Sequence, residues 1–142
     1  MILREANFAD IAKILSLYEE TKLIPTGETD LFANLLKEKI QKDPDLLVVA
    51  YDEERDILVG CIMGLYDPLA SYTRLLAVNP VYRRKGIGIL LRNEIVDRLK
   101  KRGAVFIGSL MYVSNRPIYG LLKKMGWTQL EDCHCFYIDT RS

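Results

Sequence analysis

The sequence contains few of the residues that mark a specialised class of protein. Among 142 residues there are one histidine, one tryptophan and three cysteines, and 20 Lys and Arg against 19 Asp and Glu leave a formal net charge of +1. An odd number of cysteines without regular spacing excludes a disulfide framework. A charge this close to zero excludes binding of nucleic acid or membrane through the overall field, so an anion site must be local.

Long apolar runs are also missing from the sequence. No run approaches the roughly 20 residues that a membrane-spanning helix needs, and Arg4 and Glu5 stand where a signal peptide would be apolar. The sequence therefore predicts a cytoplasmic protein with no membrane partner. Its 49% hydrophobic and 27% charged residues are typical of globular proteins. The length predicts one domain spanning residues 1–142.

The sequence Cys133-His134-Cys135 contains residue types that bind metals. On a β-strand, the two cysteines would point to one side and the histidine to the other. A zinc site needs about four ligands, and the sequence offers no second Cys/His pair. The sequence therefore predicts no metal, and it predicts that these three residues pack in a strand.

Hydrophobic periodicity predicts alternating strands and helices. The segments expected to form strands are 2–6, 46–51, 57–66, 72–78, 104–113 and one or two pieces of 127–139. Helical spacing is found in 11–18, 32–40, 87–99 and 115–125. This order predicts an α/β protein built around one mixed sheet.

The most informative segment is residues 75–88, where a strand leads through a basic, glycine-containing loop into a helix. The free backbone N–H groups and positive dipole end of such a helix start suit a phosphate or pyrophosphate. Gly86 and Gly88 would let the backbone approach an anion closely. The alternative is an ordinary connection with glycines in a turn and solvated charges, and the residues alone leave both interpretations open.

Two known phosphate loops are excluded at this position. The P-loop pattern Gly-x-x-x-x-Gly-Lys-Ser/Thr is absent. The dinucleotide pattern Gly-x-Gly-x-x-Gly would need a third glycine where the sequence has Leu91.

Two motifs resemble those of the GNAT superfamily of N-acetyltransferases. Ala77-Val78-Asn79-Pro80 followed by residues 83–88 is similar to the family's acetyl-CoA loop, Arg/Gln-x-x-Gly-x-Gly/Ala after a strand that ends in apolar-Val-x-Pro. Asn115, with a helix that ends in Lys124-Met125-Gly126-Trp127, resembles a second family motif. The order of elements matches the family over essentially the whole chain.

The resemblance implies both a fold and an activity. The fold would be α/β (α+β), with a mixed central sheet of six or seven strands, splayed between strands 4 and 5 and flanked by four helices. The activity would be an acetyl-CoA-dependent N-acetyltransferase, in which a primary amine attacks acetyl-CoA directly in a ternary complex. Acetyl-CoA would be a cosubstrate, and no metal would take part.

The resemblance also implies which residues bind acetyl-CoA. The backbone of Leu76, Ala77 and Val78 would pair with the pantetheine arm like an added strand, and a backbone N–H would polarise the thioester carbonyl. Asn115 would hydrogen-bond the same arm, cap its helix, or do both. The pyrophosphate would be wrapped by the loop and the helix start, namely Arg83, Arg84, Lys85, Gly86, Ile87, Gly88 and Ile89.

The sequence departs from the family at both usual proton-transfer positions. Leu122 stands where the family has a tyrosine acid, and Leu110 stands where some members have a glutamate base. Tyr119 lies one turn before Leu122, with Asn115 four residues earlier on a similar helix face. Tyr119 is therefore the candidate catalytic proton donor, with packing as its alternative role.

The acceptor and the partners stay open at this level. Acidic residues near the expected acceptor side would suit a cationic small molecule or a lysine or N-terminal amine of a peptide; they are Glu19, Glu20, Glu28, Asp30 and Asp67. A homodimer is left open. One alternative function is a catalytically weak or inactive acyl-CoA-binding regulatory module of the same fold. A nucleic-acid-binding domain using residues 83–85 and 100–102 is disfavoured by the net charge and by the lack of a binding motif.

Overall fold

The computed structural model describes residues 1–111 and 117–141, apart from the side chain of Pro117, and it divides into two compact units, Met1–Leu110 and Met111–Ser142. The first unit contains the strands and three helices, in the order β1 (Ile2–Glu5), α1 (Ile11–Glu20), α2 (Thr29–Lys42), β2 (Leu47–Asp52), β3 (Ile57–Leu65), β4 (Ser71–Val78), α3 (Ile87–Arg102) and β5 (Ile107–Ser109). The second unit contains α4 (Pro117–Lys124). Among the residues that the structure describes, no helix is both long and apolar enough to cross a membrane.

The five strands form one mixed sheet in the order β1-β2-β3-β4-β5. The first four strands are antiparallel neighbours, and β5 runs parallel to β4. The predicted strands at 46–51 and 57–66, the four helices and the alternating α/β order are confirmed. A parallel pair needs a long crossover connection, and α3 supplies it between β4 and β5.

The expected six or seven strands are not found among the described residues, which form five. Residues 127–141 contain no strand, so the strands predicted within 127–139 are wrong, as is the packing predicted for Cys133, His134 and Cys135, which are exposed. An apolar, β-rich run becomes a strand only where another backbone pairs with it. Here Phe136 and Tyr137 are 91% and 93% exposed. Strand β5 is also shorter than the predicted 104–113, of which 112 and 113 lie outside the described residues.

Two apolar layers cover the two faces of the sheet. Successive residues of a strand point to opposite faces, so Val49 packs in the layer under α1 and α2, while Val48 packs in the layer under α3. The predicted apolar stripe of α3 is confirmed, because each of its members is buried: Ile87, Leu91, Ile95 and Leu99. Burial of one such side chain contributes about 1.5 to 3 kcal/mol.

Small residues in β3 let α3 pack close to the sheet. A Cβ atom on Gly64 would lie 3.0 Å from Cγ1 of Ile95, and one on Gly60 would lie 3.0 Å from Cδ1 of Leu91. At its other end α3 stops at Gly103, whose φ of 112° suits glycine and whose N–H bonds the oxygens of Leu99 and Lys100. The position of α3 fixes that of the loop before it.

Candidate active site

Strand β4 carries a β-bulge in the middle of its pairing with β3. Cys61 pairs with Ala77 and Met63 pairs with Arg74, so one residue of β3 faces two residues of β4. One of these two residues, Leu75, has a φ of 53°. A left-handed backbone costs a non-glycine residue on the order of 1–2 kcal/mol. The bulge bends the second half of β4, which contains the predicted Leu76, Ala77 and Val78.

Strands β4 and β5 pair over only three residues. Ser71 pairs with Ile107, Tyr72 with Gly108 and Thr73 with Ser109, after which β4 continues to Val78 with no β5 partner in the described part of the chain. The space along the edge of β4 beyond these pairs is called the wedge here. Its β4 side offers backbone groups to a ligand that lies along the strand, as the sequence predicts for residues 76–78.

The loop after β4 is held by side chains at its base. Asn79 Oδ1 accepts a hydrogen bond from the N–H of Val81 (3.0 Å), and the buried Tyr82 donates its hydroxyl to Asp52 Oδ2 (3.1 Å). Lys85 Nζ lies 5.3 Å from the centre of the Tyr82 ring, a cation–π distance. Tyr82 thus anchors the basic loop to the sheet, although its aromatic ring alone gave no sequence signal for this role.

The start of α3 presents free backbone donors next to this loop. Gly86, with a φ of 78°, caps the helix, and the first hydrogen bond runs from Leu90 N–H to Gly86 O (3.1 Å). The N–H groups of Ile87, Gly88 and Ile89 come before that bond and have no carbonyl one turn back in the helix. A Cβ atom on Gly86 would meet no atom within 4 Å, so the space is open.

The glycine of the helix start lies against the end of β4. A Cβ atom on Gly88 would lie 3.7 Å from Cδ2 of Leu76 and 3.8 Å from Cγ2 of Val78. The exposed side chains of Arg83, Arg84 and Lys85 flank the same point. Of the residues predicted from sequence to hold CoA, those at the end of β4 and those at the start of α3 therefore lie next to each other. Free N–H groups, a dipole end and local positive charge fit a pyrophosphate.

Arg92 is a residue of this region that the sequence analysis missed. Its Nη1 donates hydrogen bonds to Ser109 Oγ (2.9 Å) and Thr73 Oγ1 (3.3 Å), and the residue is 6% exposed. Burial lowers the pKa of its guanidinium. The sequence does contain one indication that Arg92 is buried, because it directly follows Leu91 of the apolar stripe of α3.

A cavity of about 360 Å³ lies between α2 and strands β3 and β4. Lys39 Nζ bonds Gly64 O (2.6 Å) and Asp43 Oδ2 (3.3 Å), and burial lowers the pKa of Lys39 despite that carboxylate. None of the acidic residues expected near an acceptor lines this cavity. Its lining is mainly apolar and includes the bulge residue: Phe32, Leu35, Leu36, Glu38, Lys39, Lys42, Asp43, Met63, Leu65, Tyr66 and Leu75.

The residues at the candidate proton-transfer positions lie in α4 and directly after β5. Tyr119 is half-buried in α4, and Leu122 of the same helix is buried. Leu122 O accepts the N–H of Trp127 (2.9 Å) after Gly126, whose φ is 93°, as in a glycine-terminated helix end. Asn115 lies outside the described residues. Leu110, which follows β5, is 50% exposed.

Comparison with known proteins identifies relatives of this chain. Residues 11–127 match the acetyltransferase (GNAT) family. The chain is 28% identical over 125 residues to "Acetyltransferase ECA0875" of Pectobacterium atrosepticum, covering 87% of this chain and 84% of that protein.

Solved structures share the fold of this chain. A predicted acetyltransferase with acetyl-CoA from Clostridium acetobutylicum superposes with a TM-score of 0.75 at 19% identity, over 96% of this chain and 95% of that one. An aminoglycoside 6′-N-acetyltransferase from Acinetobacter haemolyticus gives a TM-score of 0.75 at 12% identity, over 99% of this chain and 100% of that one. The match to the family covers residues 11–127, which include β4 and the loop before α3. The chain therefore belongs to the GNAT family of acetyltransferases.

Proposed function

We propose that the protein is an acetyl-CoA-dependent N-acetyltransferase, which transfers an acetyl group to a primary amine by direct attack in a ternary complex. One observation carries the proposal: the first turn of α3 lies against the end of β4, with the Cβ position of Gly88 3.7 Å from Leu76. Acetyl-CoA needs an anion site and an extended groove side by side. The acetyl-CoA in the Clostridium acetobutylicum structure supports the same cosubstrate.

The pyrophosphate of CoA would bind at the start of α3. The N–H groups of residues 87–89 and the positive end of the helix dipole would face its oxygens. Arg83, Arg84 and Lys85 would add charge from the loop, with Lys85 held beside the ring of Tyr82. The open space around Gly86 leaves the backbone accessible to the anion.

The pantetheine arm would lie in the wedge along β4. Backbone groups of Leu76, Ala77 and Val78 on the side away from β3 would bond it as a neighbouring strand does. Beyond the bulge at Leu75, Ala77 and Val78 stay in register with Cys61 and Gly60 of β3, and no β5 residue of the described chain pairs with their other edge. The family resemblance adds Asn115 as a further ligand of the arm.

Acetyl-CoA supplies the acetyl group as an activated thioester. Transfer forms a bond from the amine nitrogen to the carbonyl carbon and breaks the carbon–sulfur bond, and the proton lost by the amine is balanced by the proton gained by the thiolate. An alkyl ammonium has a pKa near 10.4, so it must lose a proton before it attacks. Tyr119 is the proposed donor to the thiolate, because Leu122, at the position of the family's usual acid, has no proton to give.

The cavity beside α2 is the proposed acceptor site. It reaches the bulge at Leu75, next in sequence to the proposed pantetheine strand. Its apolar wall and its balanced charges, Lys39 and Lys42 against Glu38 and Asp43, favour a primary amine attached to an apolar group over a polycation. Either a small molecule or a peptide amine can have this character.

A second candidate function is an acyl-CoA-binding regulatory module of the same fold. The observation in its favour is that Leu110 and Leu122 replace both proton-transfer groups typical of the family. Such a module would bind CoA and transfer no acetyl group.

Acetyl-CoA consumption in the presence of single amines distinguishes the two functions. The panel should contain polyamines, aminoglycosides, peptides with free N-termini and amines with an aliphatic or aromatic group, with products identified by mass spectrometry. We expect the apolar amines to give an acetylated product, whose mass shows one acetyl group in place of one hydrogen. CoA binding with no product from any class would favour the regulatory module.

A further inference from the structure

Arg92 links β4 and β5 at the last residues over which these two strands pair. Thr73 and Ser109 form the last pair between β4 and β5. Arg92 belongs to α3, and its Nη1 donates to the hydroxyls of both residues, at 3.3 Å to Thr73 and 2.9 Å to Ser109. The hydrogen bonds therefore lie at the closed end of the wedge.

Stability alone is a weak reason for this arrangement. Arg92 is 6% exposed, and removal of a charge from water is costly. Replacement of a buried charged group by an apolar side chain of similar volume is often neutral or stabilising. An arginine that bonds two strands at once does, however, fix the distance between them.

Helix α3 contacts both ends of the wedge. Gly88 lies against Leu76 and Val78 at the open end, and Arg92 follows one turn later on a similar helix face. The helix thus holds the anion site at a set distance from the closed end. The pantetheine arm is the part of CoA that must fit between these two points.

We propose that Arg92 is a positioning residue, which fixes the closed end of the wedge and so sets the affinity for the pantetheine arm. This inference rests on the proposed function, because it requires that CoA binds in the wedge. Arg92 acts through Thr73 and Ser109, and the affinity for the nucleotide half of CoA is independent of it.

Calorimetric titration with two ligands tests the proposal. CoA contains the pantetheine arm, and 3′-phosphoadenosine 5′-diphosphate is the nucleotide half without it. For Arg92→Met we expect CoA affinity to fall about tenfold or more, and nucleotide affinity to stay within about threefold of wild type, a difference of roughly 0.7 kcal/mol. Arg92→Lys, which keeps a donor of shorter reach, should give an intermediate CoA affinity.

Two further variants control for folding and for charge. Lys101→Met removes one charge from an exposed position at the far end of α3 and should change neither affinity. If Arg92→Met does not fold, Ser109→Ala removes a single acceptor of the same network and should weaken CoA alone, by about threefold or more.

The outcomes separate this inference from the function on which it rests. Equal losses for both ligands, or no loss for either, would overturn the positioning role and leave the acetyltransferase proposal intact. A wild-type protein that binds the nucleotide half and CoA equally well would overturn the role of the wedge. Failure of the wild type to bind CoA at all would overturn both proposals.

Discussion

Gly88 and Leu76 are so close that a Cβ atom on the glycine would lie 3.7 Å from Cδ2 of the leucine. One residue belongs to the first turn of α3 and the other to the bent half of β4, so their contact brings a helix dipole beside an extended backbone edge. The first structure suits an anion and the second suits an extended amide chain. CoA contains both groups in that order.

The substitution Gly88→Trp fills the space between these two elements. We expect the variant to fold but to lose the rise in melting temperature that CoA produces, since the indole would occupy the pyrophosphate site. At 100 times its dissociation constant, a ligand stabilises the folded state by about 2.7 kcal/mol. The measurement is a thermal melt with and without CoA.

Leu90→Trp is the matched control for this experiment. Leu90 is 52% exposed in the same turn of α3, so the same bulk would point into solvent and the CoA effect should persist. Loss of the CoA effect in both variants, or in neither, would contradict the placement of the anion site.

Gly60→Ala tests the close packing of β3 against β4 and α3. The new Cβ would lie 2.9 Å from Ala77 O and 3.0 Å from Leu91 Cδ1. A backbone oxygen in a paired strand moves little, so we expect a loss of about 1–3 kcal/mol in the free energy of unfolding. Urea denaturation measures it.

Gly120→Ala is the contrasting variant for the same assay. A Cβ on Gly120, in α4, would meet no atom within 4 Å, and alanine is the better helix former by about 1 kcal/mol. It should therefore be neutral or stabilising. A Gly60→Ala protein as stable as wild type would show that Gly60 is packed less closely against Ala77 and Leu91 than described.

Asp10 links the first strand to α1 and makes stability depend on pH. Its carboxylate accepts two hydrogen bonds from Arg4 (2.7 Å and 2.9 Å) and one from the N–H of Asn7 (2.8 Å). Burial alone would raise the pKa of Asp10, but these bonds outweigh it and the pKa falls below its usual value. The ionised form therefore stabilises the fold above the unfolded pKa of about 3.9, and the effect is lost as pH falls through the lower folded pKa.

We expect Asp10→Asn to unfold more easily than wild type at pH 7, by about 1 to 3 kcal/mol. The difference should shrink below pH 4, where the wild-type carboxyl group also becomes neutral. Arg4→Met removes the partner and should show the same pH trend. A difference that is constant from pH 7 to pH 3 would contradict the role given to the ion pair.

Local patterns predicted much of the fold and supplied the residues of the proposed anion site. The apolar stripe of α3 and the loop before it depend on neighbouring residues, which the sequence displays directly. The left-handed backbone of Leu75 does not, because it follows from the register between β3 and β4. Nothing in a leucine signals a bulge.

Long-range pairing explains the other errors. Residues 133–138 have the composition of a strand, but a strand requires a partner that composition does not specify. Arg92 resembles a solvated residue on a helix until Thr73 and Ser109 are brought beside it from distant parts of the chain.

Tyr119→Phe tests the proposed proton donor. The change removes the hydroxyl and nearly keeps the volume of the half-buried side chain. If Tyr119 protonates the thiolate, turnover should fall about a hundredfold with unchanged affinity for acetyl-CoA. A fall of less than about threefold would make Tyr119 a packing residue. Leu122→Tyr, at the position of the family's usual acid, should then raise the rate.

Calorimetric titration of the wild-type protein with CoA tests the central claim most directly. We expect saturable binding of one CoA per chain, with an affinity that falls as salt is raised, because Arg83, Arg84 and Lys85 supply part of the anion site. Heat of binding and a rise in melting temperature should appear together. The absence of both at millimolar CoA would contradict the assignment of the wedge and the start of α3 as a CoA site.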